Sequence, residues 1–149
     1  TFLSNPDKAS IELRKQILHE CNLTAILDMP KGTFLGTGAQ TVVLFLEKGK
    51  PTKKIWYYQL DPERNMGKTN PLNDKDLEHF INIFKNKKIT PNSWSVEIGN
   101  INKETWELVV KNPNKIEAID ERTPIQIIKE IEETEKKSSI TLRKLKELI

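Results

Sequence analysis

The sequence predicts a layered α/β fold followed by a long C-terminal helix. Three observations carry this. A helical apolar stripe at residues 10–20 runs into a short apolar segment at residues 23–27. A second run, residues 41–47 (Thr-Val-Val-Leu-Phe-Leu-Glu), is apolar almost without interruption, as a strand buried on both faces should be. After Thr123-Pro124 a seam of isoleucines and leucines recurs at helical spacing on an otherwise charged segment.

The first helix places Ile11, Leu13, Ile17, Leu18 and Cys21 inward and Glu12, Arg14 and Lys15 outward, with Asp7 or Ser10 as its cap. The strand at residues 23–27 ends at Pro30 and Gly32. Lys48-Gly49-Lys50-Pro51 reads as a tight hairpin turn joining the second strand to a third, aromatic one at residues 54–60. Residues 61–73 form an irregular loop with Pro62, Gly67 and Pro71. Asn73 or Asp74 then caps a helix to about Lys85 that turns Leu77, Phe80, Ile81 and Phe84 inward. Trp94, Val96 and Ile98 alternate as in a strand, and Trp106, Leu108 and Val109 suggest one more short element. Thr123 and Pro124 suit the N-cap and first turn of the last helix. Its seam comprises Ile125, Ile128, Ile131, Leu142, Leu145, Leu148 and Ile149, and turns polar over residues 132–139. That pattern fits one helix with a weak middle or two helices hinged near Ser138-Ser139. A narrow stripe needs a partner, which is either this chain's own domain or a helix of another chain.

Composition excludes several function classes. At 149 residues the chain is long enough for a core, and 36% hydrophobic with 30% charged residues suits a soluble domain. No run approaches the ~18 apolar residues of a membrane span. No leader is visible ahead of Thr1-Phe2-Leu3-Ser4; this start suggests a piece of a longer protein, cytoplasmic by default. The single Cys21 forms no internal disulfide, and with two histidines there is no zinc-ligand set; a buried Cys21 and half-exposed His19 are expected. A net charge of +3 does not by itself argue for nucleic acid.

Two glycine motifs fail on spacing. Gly67-Lys68-Thr69 resembles the end of a phosphate loop, but Pro62 stands where the first glycine is required. Gly36-Thr37-Gly38 lacks the third glycine of a dinucleotide fingerprint, since that position is Thr41. No nucleophile elbow or acid/base pair of carboxylates is evident, so no complete catalytic site is present. Lys48, Lys50, Lys53 and Lys54 cluster on one turn, and Lys85, Lys87 and Lys88 at one helix end. They are solvated surface charges or contacts to phosphates.

The most informative stretch is Leu27-Asp28-Met29-Pro30-Lys31-Gly32-Thr33-Phe34, continued by Gly36-Thr37-Gly38-Ala39-Gln40-Thr41. It reads as a glycine-bearing loop between two strands with one aromatic residue at its lip, suited to gripping a planar ligand.

Together with Leu13-Arg14-Lys15, Leu23-Thr24-Ala25-Ile26, Leu44-Phe45-Leu46-Glu47-Lys48-Gly49, Ile55-Trp56-Tyr57-Tyr58, Gly67-Lys68-Thr69-Asn70-Pro71-Leu72, Trp94-Ser95-Val96 and Lys111-Asn112-Pro113, this stretch resembles the adenine-specific N6 DNA methyltransferase family. In particular it resembles the modification subunit of type I restriction-modification systems. The resemblance implies the C-terminal part of a doubly wound S-adenosylmethionine-dependent methyltransferase sheet (one helix and the terminal antiparallel strands) over residues 1–60. It further implies an α+β extension over residues 61–122 and a helical segment for subunit contact over residues 123–149. The family's Asn-Pro-Pro-aromatic motif is missing, because Asn5-Pro6, Asn70-Pro71 and Asn112-Pro113 are each followed by another residue. The acidic glycine motif for the donor is missing too, so this piece is expected to be inactive alone and to bind no S-adenosylmethionine itself.

On that resemblance Phe34 stacks against the extruded target adenine, unless it is simply a core residue of the hairpin. Lys31, Thr37, Gln40, Lys48, Lys50, Lys53 and Lys54 become DNA-contact candidates. The seam of the last helix becomes a docking face for the specificity subunit, with DNA and the restriction subunit as further partners and no membrane. Strand edges left open in such a piece invite self-association. The rival reading from the residues is a non-catalytic scaffold module binding protein or nucleic acid.

Overall fold

The structure is a computed structural model that describes residues 2–34, 39–115 and 123–146, the side chain of Lys144 excepted. The chain divides into two compact units, Thr1–Ile116 and Glu117–Ile149.

The first unit is α/β, as its sequence predicts. Helix α1 (Lys8–Glu20) leads into β1 (Cys21–Met29), followed by β2 (Thr41–Lys48) and β3 (Lys54–Gln59). Helix α2 (Asp74–Phe84), β4 (Ser93–Glu97) and a single 3-10 turn at Ile98–Asn100 complete it. The sheet order is β2-β1-β3-β4, with β1 and β3 parallel and both outer pairs antiparallel.

This order overturns the expected hairpin between the second and third strands. β1 pairs antiparallel with β2 across the 30–40 loop, and the chain then crosses the start of β1 to enter β3. Thr52 pins the crossover. Its hydroxyl accepts from the Leu23 N–H (2.9 Å) and donates to the Cys21 carbonyl (2.8 Å), while its own N–H reaches the Leu18 carbonyl at 2.8 Å. The side chain is 4% exposed, so these bonds also satisfy a buried polar group.

Edge position explains a second difference. β2 is nowhere fully buried, and Leu46 remains 46% exposed. The strands covered on both faces are β1 and β3, where Ile55, Trp56, Tyr57 and Tyr58 are all buried in succession. Ile26, Ile55 and Tyr57 face α1 and the segment containing Trp106 and Leu108. Ala25, Leu27, Trp56 and Tyr58 face α2.

Helix α1 begins at the predicted cap: the Asp7 carboxylate accepts the Ser10 N–H at 2.9 Å. Its buried face, however, is Arg14 and Leu18, with Leu13 47% exposed. Arg14 turns inward because its guanidinium meets four carbonyls, those of Trp106 (2.9 Å), Phe2 (2.8 Å), Asn5 (2.9 Å) and Thr105 (2.8 Å). Charge-assisted bonds offset the desolvation of the cation. Cys21 opens β1 rather than ending the helix and is half-buried, and His19 is exposed beside the Trp106 ring.

In α2 the capping box is complete. The Asn73 side chain accepts the Asp76 N–H, and the Asp76 carboxylate accepts the Asn73 N–H at 2.9 Å. Phe80 is buried and Leu77, Ile83 and Phe84 pack with it, whereas Ile81 is 62% exposed, contrary to the inward position expected of it. Residues 77, 80 and 84 share one face at three- and four-residue steps, which rotates position 81 to its flank. Trp106 and Leu108 lie in irregular chain, with Leu108 bonded through its N–H to the Leu3 carbonyl at 2.9 Å.

In the second unit α3 (Pro124–Lys146) is one continuous helix through Ser138-Ser139. Thr123 and Gln126 cap it reciprocally: the Gln126 N–H donates to the Thr123 hydroxyl at 3.3 Å, and the Thr123 N–H donates to the Gln126 side-chain Oε1 at 2.7 Å. No helix among the described residues is long and apolar enough to cross a membrane.

Candidate functional site

In a sheet with parallel strands, ligands gather at the carboxyl ends of those strands. Here β1 and β3 end together, Asp28 beside Gln59, and β1 runs directly into the 30–40 loop. Pro30 closes the strand. The Thr33 hydroxyl donates to the Pro30 carbonyl at 2.7 Å and tightens the turn, with Gly32 at its centre at φ +80°. Phe34 emerges from this turn 52% exposed. An aromatic ring held half in water on a short, bonded turn offers a face to a planar partner. Lys31 is exposed beside it, and Thr37 lies outside the described residues.

Gln40, at the far end of the loop, donates its amide to the Asp28 carboxylate at 2.8 Å. Burial raises the Asp28 pKa above its ordinary value of 3.8, and the Gln40 hydrogen bond opposes that rise. The bond ties the returning limb of the loop to the strand from which it leaves. Sequence patterning does not single out Asp28 as a site residue; the available signal is a carboxylate between Leu27 and Met29 in an otherwise apolar strand.

Beside this clasp is a cleft of about 200 Å³ lined by Asp28, Gln40, Val42, Tyr57 and Trp94, among others. Tyr57 and Trp94 stack with centroids 5.3 Å apart and planes 8° from parallel. The Tyr57 hydroxyl donates to the Leu108 carbonyl at 3.1 Å, and burial pushes its pKa upward. This volume lies below the ~300 Å³ at which small-molecule sites begin.

The basic cluster lies elsewhere. Lys48 pairs with Cys21 at the start of β1, eight residues before Met29, which puts the crossover roughly 26 Å from the Phe34 turn along the strand. Lys48, Lys50 and Lys53 are exposed there, while Lys54 is paired with Glu97 at 3.3 Å. Of the second lysine group, Lys87 lies over the Phe84 ring at 4.5 Å and is half-buried, its pKa lowered mainly by that burial. The structure therefore places Lys31 and Phe34 on one turn, with Gln40 bonded to the strand that leads into it, and keeps the crossover lysines at the other end of that strand.

On α3, Ile125, Ile128, Ile131, Leu142 and Leu145 are all exposed; Leu148 lies outside the described residues. Ile131 and Leu142 are eleven residues apart, close to three full turns, so they fall within about 20° of each other around the axis. The two apolar patches thus share a face across the polar middle. Among the described residues no cluster of His, Cys, Asp and Glu is arranged to hold a metal ion.

The model of the N-6 DNA Methylase family matches residues 2–122. The chain is 32% identical over 119 residues to the type I restriction enzyme EcoEI methylase subunit of Escherichia coli, covering 72% of this chain and 24% of that one. A crystal structure from Vibrio vulnificus YJ016, described as a modification subunit of a type I restriction enzyme, superimposes with a TM-score of 0.70 at 28% identity, covering 80% of this chain and 27% of that one. A chain from a structural study of complex assembly in the type I R-M system gives a TM-score of 0.69 at 26% identity, covering 99% of this chain and 33% of that one. The chain thus spans about a quarter of the length of its EcoEI relative.

Proposed function

Since the chain belongs to the N-6 DNA methylase family, we propose that it is the C-terminal part of a type I modification subunit that methylates adenine N6 in DNA. In this reading residues 1–60 complete the methyltransferase sheet, residues 61–122 extend it, and residues 123–149 dock the specificity subunit. S-adenosylmethionine supplies the methyl group from a site built by other residues of the longer protein. The assembly also includes the restriction subunit and acts in the cytoplasm.

The role of this chain's own residues begins with extrusion of the target adenine from its duplex, which exposes both faces of the ring. Phe34 provides a surface for one face, and base–aromatic stacking contributes about 1–3 kcal/mol. In this reading the exposed Lys31 contacts a flanking phosphate, and the Gln40–Asp28 bond keeps the loop's returning limb against the sheet. None of these side chains moves a proton or forms a bond to substrate. The observation that carries the reading is the half-exposed ring of Phe34 at the carboxyl end of β1, where a strictly core residue would be covered.

Phe34→Ala in the full-length subunit, assembled with its partners, tests it. Methylation should fall about 5- to 150-fold, the stacking energy converted to rate, with donor affinity nearly unchanged. Equal loss of donor binding and methylation, or loss of neither, contradicts the stacking role.

The exposed seam of α3 supports the docking role, because an apolar stripe on a charged helix is covered in its working state. The long helices that separate DNA-reading domains in specificity subunits are a matching surface.

A further inference from the structure

We infer that residues 61–73 form a brace that sets the position of the Phe34 turn, and that Arg64 is its positioning residue. The two loops meet backbone to backbone. A Cβ built on Gly32 would stand 2.5 Å from the Met66 carbonyl oxygen, closer than real Cβ atoms come. The turn two residues before Phe34 therefore rests directly on the 61–73 loop, with no side chain between them to absorb movement.

That loop is itself held rigid. The Arg64 guanidinium donates to the carbonyls of Asn70 (3.2 Å) and Pro71 (3.1 Å) and pairs with the Asp76 carboxylate at 2.5 Å. Asp76 is also the reciprocal half of the α2 capping box, so the brace is anchored to the helix start. Gly67 and Asn70 exchange backbone bonds of 3.1 and 3.0 Å, making a tight turn of the Gly67-Lys68-Thr69 motif that has no phosphate-loop context. Glu63 holds φ +56°, a left-handed conformation that non-glycine residues avoid, with its N–H bonded to the Asp61 carboxylate at 3.1 Å. Strained positions persist where the surroundings over-determine them. From helix α2 through Arg64 and Met66 to Gly32, each link is a backbone atom or a multiply bonded side chain. The functional weight of the brace rests on the base-stacking reading, but the brace can be measured without DNA.

The test is 19F NMR of this chain with 4-fluorophenylalanine at its five Phe positions, the Phe34 signal being assigned by its loss in Phe34→Leu. Arg64→Gln, and independently Asp76→Asn, should each move or broaden the Phe34 resonance while Phe2 and Phe45 stay in place. Exchange of the Thr33 amide should accelerate about tenfold or more in Arg64→Gln, given the strength of bonds to charged groups. Because Asp76→Asn removes the charge that pairs with Arg64 while keeping an oxygen able to accept the Asn73 N–H, it remains informative if the Arg64 variant folds poorly. An unmoved Phe34 signal in both variants overturns the brace, as do equal shifts at Phe2 and Phe45. An ineffective Phe34→Ala in methylation would remove the stacking role alone.

Discussion

Replacing Arg14 by leucine removes four hydrogen bonds that join α1 to the N-terminal segment and to the chain around Trp106. The bond from Nε to the Trp106 carbonyl is buried, so its loss strands an acceptor at about 1–3 kcal/mol. The other three carbonyls are partly buried, and water replaces much of what they lose, leaving about 0.5–1 kcal/mol each. Leucine no longer carries a charge into a position only 1% exposed, which returns part of this loss. Trp106 adds to it, since its φ of +49° is an unfavourable conformation stabilised by the bond at its carbonyl. The net is about 3 kcal/mol, a large share of the ~5–15 kcal/mol that stabilises a typical domain. The melting temperature of the first unit should fall by about 10–15 °C, followed by circular dichroism with Trp fluorescence as a second probe. Arg14→Lys, which keeps the charge but not the fork of donors, should fall between wild type and the leucine variant. A change within about 2 °C for Arg14→Leu would show that the buried guanidinium is not what holds these segments together.

Asp28→Asn should raise stability at neutral pH, because a carboxyl whose pKa is raised on folding is disfavoured in its charged form. The sign follows from linkage: between the ordinary value of 3.8 and the higher folded value the native state binds more protons, so wild-type stability falls as pH rises through that window. The advantage of the variant should vanish below that window, and a pH-independent difference in urea midpoints would refute it. Substituting Lys48, Lys50 and Lys53 together by alanine should weaken DNA binding of the assembled enzyme equally on all sequences, lowering the salt slope by up to about 0.9 for each phosphate no longer neutralised. An unchanged slope would leave these lysines as solvated surface charges. Deleting residues 124–146 should release the specificity subunit during co-purification, and Ile128→Glu should weaken its retention; intact co-purification of the deletion would exclude α3 as the docking helix.

Local signals are enough to locate most elements. The Asp7 cap, the Asn73–Asp76 box and the Thr123–Gln126 pair act over three residues, so their partners are visible in the chain itself. Periodicity likewise marks the strands, and the Pro30-Lys31-Gly32 turn with its lip aromatic is legible as a loop between them. The resemblance carried by these same residues points to the family to which the chain belongs.

Tertiary structure decided what depends on partners far away in sequence. Whether β2 lies centrally or at an edge depends on which strand β1 pairs with next, and apolar content does not encode neighbour order. Arg14 reads as a surface cation until the carbonyls of Thr105 and Trp106, more than ninety residues away, converge on it. The distance between Phe34 and the crossover lysines is set by the length of β1, and the support under Gly32 comes from Met66 in a loop that shares no local pattern with it. Residue types and spacing determine an element because its bonds close within a few residues. Burial, pairing order and loop support are properties of space, and only the folded chain assigns them.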